Sequence, residues 1–90
     1  SDLAISLGVP MAPDNKHPKH VAACQRVLEV AKAHGLVPGI HSSGPEEVAR
    51  RFNEGWLFSQ VGSDVQFVSM GAASGLKALA EARAKYGTKV

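Results

Sequence analysis

The chain has one cysteine, Cys24, in 90 residues. One thiol can build neither an intrachain disulfide nor a thiolate metal cluster. Cys24 falls within a helical apolar pattern, so the expected role is a small core hydrophobe rather than a reactive thiol. Charge of one sign is also lacking. The formal net charge is +2, with acids and bases interspersed. Lys16 and Lys19 lie close together, as do Arg50 and Arg51, but two pairs do not make the clustered basic face a nucleic acid requires. No apolar run approaches the length of a membrane span and no signal peptide is visible, so a cytoplasmic protein is expected. The first residue is not Met, so the start is expected to have been processed, cut or left out.

What is present is an alternation of short apolar runs and longer amphipathic stretches. Residues 1–8 form an apolar run ending at Gly8. Residues 9–17, with Pro10, Pro13, Asp14 and Asn15, read as a loop, because proline and Asx residues favour turns. Pro18 fits the first turn of a helix. Val21, Cys24, Val27, Leu28 and Ala31 recur at helical spacing, and Gly35 supplies a left-handed stop. Residues 36–41 are short, apolar and β-capable, although Pro38 must sit at an irregularity or strand end. Ser43-Gly44-Pro45-Glu46 reads as a capping box for a helix running to about Glu54, ended by Gly55. Residues 56–61 are a second short strand closed by Gly62. Ser63-Asp64-Val65-Gln66 caps a last helix to about Tyr86, with Gly87 ending it and a frayed tail to Val90.

This order predicts an α/β fold: the tail of a strand, then helix, strand, helix, strand, helix, with parallel strands and right-handed crossovers. Two strands with open edges do not close a sheet. The expectation is therefore the C-terminal part of one (βα)₈-barrel domain, beginning at the end of the sixth strand. In such a barrel the chemistry sits where strands end. That rule selects Ser1 and Asp2, His41 to Ser43, and Gly62 to Asp64. Asp2 is an oxygen ligand suited to a hard divalent cation, or a plain loop carboxylate or helix cap. His41 is a substrate contact or general base, or a satisfied core histidine. His17 and His20 lie three apart at a helix start and could face one metal, with no third ligand nearby. His34 belongs to a helix end. Gly62-Ser63-Asp64 could hold an anion, but Asp64 adds negative charge there, so capping is preferred. The small residues from Gly71 to Gly75 cost helix stability, about 1 kcal/mol per mid-helix glycine. They are expected to serve close packing or a bend.

Ser1-Asp2-Leu3-Ala4 with Gly8 and His17-Pro18 resembles the segment after the sixth strand in the HpcH/HpaI aldolase/citrate lyase family. Pro38-Gly39-Ile40 is similar to its seventh strand, and Ala49-Arg50-Arg51-Phe52 with Glu54-Gly55 to the next helix. Phe58-Ser59-Gln60-Val61-Gly62-Ser63-Asp64 is similar to its eighth strand and turn. The resemblance implies a class II aldolase of 2-oxo acids, cleaving them to pyruvate and an aldehyde with a divalent cation (Mg²⁺, Mn²⁺ or Co²⁺). It implies that Asp2 is a metal ligand and that Ser1 lies where backbone N–H groups hold the pyruvate carboxylate. His41 departs from the apolar residue usual there and points to a more polar acceptor. The remaining ligand, arginine and histidine of such a site belong to earlier strands, so no catalytic residue is assigned within this chain. The 90 residues alone are expected to be inactive. Homo-oligomerisation is implied, with the last helices in subunit contacts. The reading from another class is a non-catalytic partial-barrel assembly module.

Overall fold

The computed structural model describes residues 1–87; the expected frayed tail lies partly outside them. Four helices follow in order: α1, Asp2–Leu7; α2, Pro18–Ala33; α3, Pro45–Glu54; α4, Asp64–Tyr86. The helix starts and stops follow local chemistry. Pro18 and Pro45 occupy first-turn positions where a missing N–H costs nothing. Gly55 takes the left-handed conformation that ends α3 (φ 113°), and Gly35 does the same just past α2 (φ 65°). Ser63 accepts a hydrogen bond from the Gln66 N–H at 3.3 Å, as the sequence pattern required.

The barrel expectation is overturned. Among the described residues there is no strand and no sheet, and the regular structure is all helical. The run over residues 1–8 is not the tail of a strand but a helix. Leu3, Ala4 and Leu7 share the helical spacing that buries one side, and Asp2 sits favourably in the positive first turn. Gly8, at φ 70°, caps it.

The two segments expected as strands meet at a single parallel bridge, Gly39 to Phe58. The Ile40 N–H donates to the Phe58 carbonyl at 3.0 Å, and the Leu57 N–H to the Pro38 carbonyl at 2.9 Å. Beyond that, side chains take over the backbone groups a ladder would use. Ser59 Oγ donates to the Ile40 carbonyl at 2.6 Å. The Gln60 amide accepts from the Ser42 N–H at 3.2 Å and donates to the Ser42 carbonyl. Pro38 has no N–H to offer from its own side. Parallel pairing is stable in sheets of several strands, and among the described residues no further strand joins this pair. Gly39 lets the two segments approach closely: an added Cβ would stand 3.2 Å from the Phe58 ring, which would have to shift.

The core is small. Cys24, Leu28 and Trp56 are buried together, with Leu3 and Ile40 packed against them. This joins α1, α2 and the two bridged segments, and Cys24 takes the core place its pattern indicated. α1 packs on α2, whereas α4 packs on no other helix and has no buried residue. No described helix is long and apolar enough to cross a membrane. Leu28 is the most enclosed of the three core residues (2 % exposed). Leu28→Ala is expected to lower stability by roughly 3 kcal/mol, from lost transfer energy plus a residual cavity. The shift of the urea midpoint, followed by helical circular dichroism, measures it.

Candidate functional site

One cavity of about 870 Å³ opens between α1, the 9–17 loop, α2 and α3. Ser1, Asp2 and His41 all line it, so the three residues singled out in the sequence share one space. Their settings differ from those expected. Asp2 opens a helix instead of ending a strand, and His41 follows the isolated bridge. Both side chains are exposed.

The opposite wall carries a charged network. Glu47 is buried (4 % exposed) and its Oε1 accepts from the Ser43 N–H at 2.9 Å and from Ser43 Oγ at 2.8 Å. Its Oε2 faces Arg51 Nε at 3.3 Å. Arg51 also reaches Glu54 at 3.2 Å and Asp14 at 3.4 Å. Asp14 is further paired with Arg50 and, at 3.1 Å, with Lys16. The expected capping box at Ser43 therefore closes one residue later, on Glu47 rather than Glu46. The Gly44 N-cap has no side chain to offer, and Ser43, one residue before it, reaches Glu47 instead.

The loop is braced from within. Asn15 is buried; its side-chain amide donates to the Pro10 carbonyl at 2.8 Å, and its Oδ1 accepts from the His17 N–H at 2.9 Å. Asp14 itself has a left-handed backbone (φ 46°), a conformation Asp tolerates better than most residues.

The histidines do not converge. His17 Nδ1 accepts from the Lys19 N–H at 3.2 Å as a helix cap. His20 turns the other way, with Nδ1 3.6 Å from Cys24 Sγ at the cavity wall. His34 Nδ1 meets the Val30 carbonyl at 2.9 Å at the end of α2, the structural place expected for it. Among the described residues no group of three or more His, Cys, Asp or Glu side chains could hold a metal ion. Asp2 then belongs to no such cluster among the described residues, and the residues present do not by themselves fit the divalent cation that the resemblance implies. Burial pushes the Cys24 thiol up, which fits an unreactive core position.

Sequence reasoning missed Asp14, Glu47 and Arg51 as parts of this wall. The Glu46–Arg50 and Glu47–Arg51 spacings carried a readable signal, because residues four apart on a helix face each other. The Asp14 pairings, across 36 and 37 positions, carried none. Comparison with protein-family models, with curated proteins and with solved structures finds no match.

The network ties stability to pH. The hydrogen bond from Arg50 holds the Asp14 carboxyl below its ordinary value, against the opposing effect of burial. Burial alone would raise Glu47, but the Ser43 N–H and hydroxyl and the Arg51 guanidinium outweigh it and bring it down. Folded-state values below the unfolded ones favour folding once pH exceeds the ordinary carboxylate range. That contribution fades as pH falls through the lowered values. The urea midpoint should be flat near neutrality and drop as pH falls below about 4, with a shallower drop in Asp14→Asn.

Proposed function

We propose that the chain contributes to a metal-dependent aldolase of 2-oxo acids, cleaving its substrate to pyruvate, or a similar 2-oxo acid, and an aldehyde. The observation that supports this reading is the sharing of one cavity by Ser1, Asp2 and His41. Its volume suits a small ligand. In this reading Asp2 is one ligand of the cation and the other ligands come from outside the described residues. Ser1 lies by the 2-oxo-acid carboxylate, and His41 offers a hydrogen-bonding wall to a polar aldehyde. When bound, the cation would serve as a Lewis acid for the developing enolate. A retro-aldol assay on the 90-residue chain with added Mn²⁺ is expected to show pyruvate release at background. Mn²⁺ with oxalate should quench Trp56, which lines the cavity, only in the millimolar range, and Asp2→Asn should abolish that quenching. An identical titration in the variant removes Asp2 from the reading.

A separate observation favours the second reading, an assembly module. α4 leaves Val65, Phe67, Val68, Met70, Leu76 and Leu79 exposed, Val65 at 75 %. A helix this apolar without a covered face is suited to packing on another polypeptide. A second copy of this chain is the proposed partner. At both Gly71 and Gly75 an added Cβ meets nothing within 4 Å, so larger side chains fit within the chain itself. Leu at both positions should strengthen the helix, by about 1 kcal/mol per replaced glycine, while blocking close approach of a partner. Sedimentation velocity should show a smaller assembly for Gly71→Leu/Gly75→Leu than for the parent. Equal sedimentation of the two would count against the module.

A further inference from the structure

We infer that the 9–17 loop is an electrostatically latched cover over the cavity, with Asp14 as the latch. This rests on the geometry of the cavity and not on the aldolase reading. Met11, Ala12, Pro13, Asp14 and Asn15 line the cavity in an unbroken run, so the loop is one of its walls. Asn15 makes the loop a braced unit that can move as one piece. It is flanked by a left-handed Gly8, around which an added Cβ meets nothing within 4 Å, and by the His17 cap of α2. Those two points are the hinges. The ion pairs that tie the loop to α3 are made by Asp14, to Arg50 and Arg51.

The charge arrangement lets this latch open. Each group that crosses from loop to helix also has a partner on its own element. Asp14 keeps Lys16 on the loop at 3.1 Å. Arg50 has Glu46, four residues back, at 3.9 Å. Arg51 keeps Glu47 and Glu54. Lifting the loop therefore strands no buried charge, the condition that makes breaking an ion pair costly. Closing adds cross-element pairs to local ones, and because these pairs are partly buried salt weakens them only in part. Opening gives up the Asp14 pairs together with some of the burial of Val9 and Asn15 on the same loop, while the bonds of Asn15 within the loop are kept.

Trp56, the chain's one tryptophan, lines the cavity and is 4 % exposed. Its quenching by acrylamide reads access directly. In Asp14→Asn, which removes the charge and keeps the shape, the Stern–Volmer constant should rise about two-fold with helical circular dichroism unchanged. Raising NaCl to 1 M should produce a smaller rise in the parent chain and none in the variant. Arg50→Gln, which leaves the Arg51 pair with Asp14 in place, should give a smaller rise, and the double variant should match Asp14→Asn, as for partners in one interaction. Unchanged quenching in a folded Asp14→Asn overturns the latch. Should that variant lose its helix, the parent chain decides. Salt-independent quenching there overturns the proposal, and a salt-driven rise with helix content retained supports it.

Discussion

The Glu47 carboxylate organises the middle of this chain, because it is buried and three donors converge on it. Ser43 gives two of them and Arg51 the third. A buried carboxylate is tolerable only when its oxygens are matched in this way. Its two oxygens divide the work: Oε1 fixes the turn before α3, and Oε2 orients the guanidinium. Arg51, so oriented, presents a second nitrogen to Asp14 and thereby reaches the loop. The position of the 9–17 loop relative to α3 thus follows from a cap formed within five residues of sequence. Trp56 joins the same arrangement from below, its N–H donating to the Arg51 carbonyl at 3.1 Å while its ring enters the core.

Local rules predicted what local forces decide. The loop at residues 9–17, the proline starts at Pro18 and Pro45, the glycine stops at Gly35, Gly55 and Gly87 and the Ser63 cap depend on residues within one turn, and all were legible. The strands were not. An apolar run of six to eight residues satisfies strand and buried-helix patterns alike. For residues 1–8 an acidic first turn and a glycine cap settle it as a helix. For residues 36–41 and 56–61 the apolar pattern is real and pairing does begin at Gly39 and Phe58. The ladder stops because Ser59 and Gln60 engage the neighbouring backbone through their side chains. Side-chain competition of that kind leaves no trace in hydrophobic periodicity.

The site shows the same division. Asp2 and His41 were selected by a rule about strand ends, and the strands are absent. They nevertheless share a cavity, because what places His41 is the bridge at Gly39 and what places Asp2 is the packing of α1 on α2. The rule selected residues that share a space, although the elements it assumed are absent among the described residues. Asp14 could not be found that way: its role comes from contacts across 36 and 37 positions, which only the folded chain reveals.

The shape of the chain bears on both functional readings. The radius of gyration is 19.4 Å, against about 12 Å for a compact domain of this length. The accessible surface is 6875 Å², where a compact monomer of this mass exposes about 5000 Å². The difference exceeds the roughly 800 Å² that each partner buries in a standard stable protein interface. Much of it lies along α4, whose 23 residues extend about 35 Å with no residue buried. Helices gain most of their stability from tertiary packing of an apolar face, and α4 carries two interior glycines that subtract from its intrinsic propensity. A helix with that deficit and that much uncovered apolar surface is stabilised by whatever covers it. The cavity has a parallel deficit: one exposed carboxylate at Asp2 and no ligand cluster among the described residues. Added polypeptide would supply both needs at once, covering α4 and bringing oxygen or nitrogen donors to Asp2. The proposed aldolase and assembly readings therefore share a requirement, and assembly comes first in it, because in the aldolase reading the metal chemistry would depend on groups beyond the described residues.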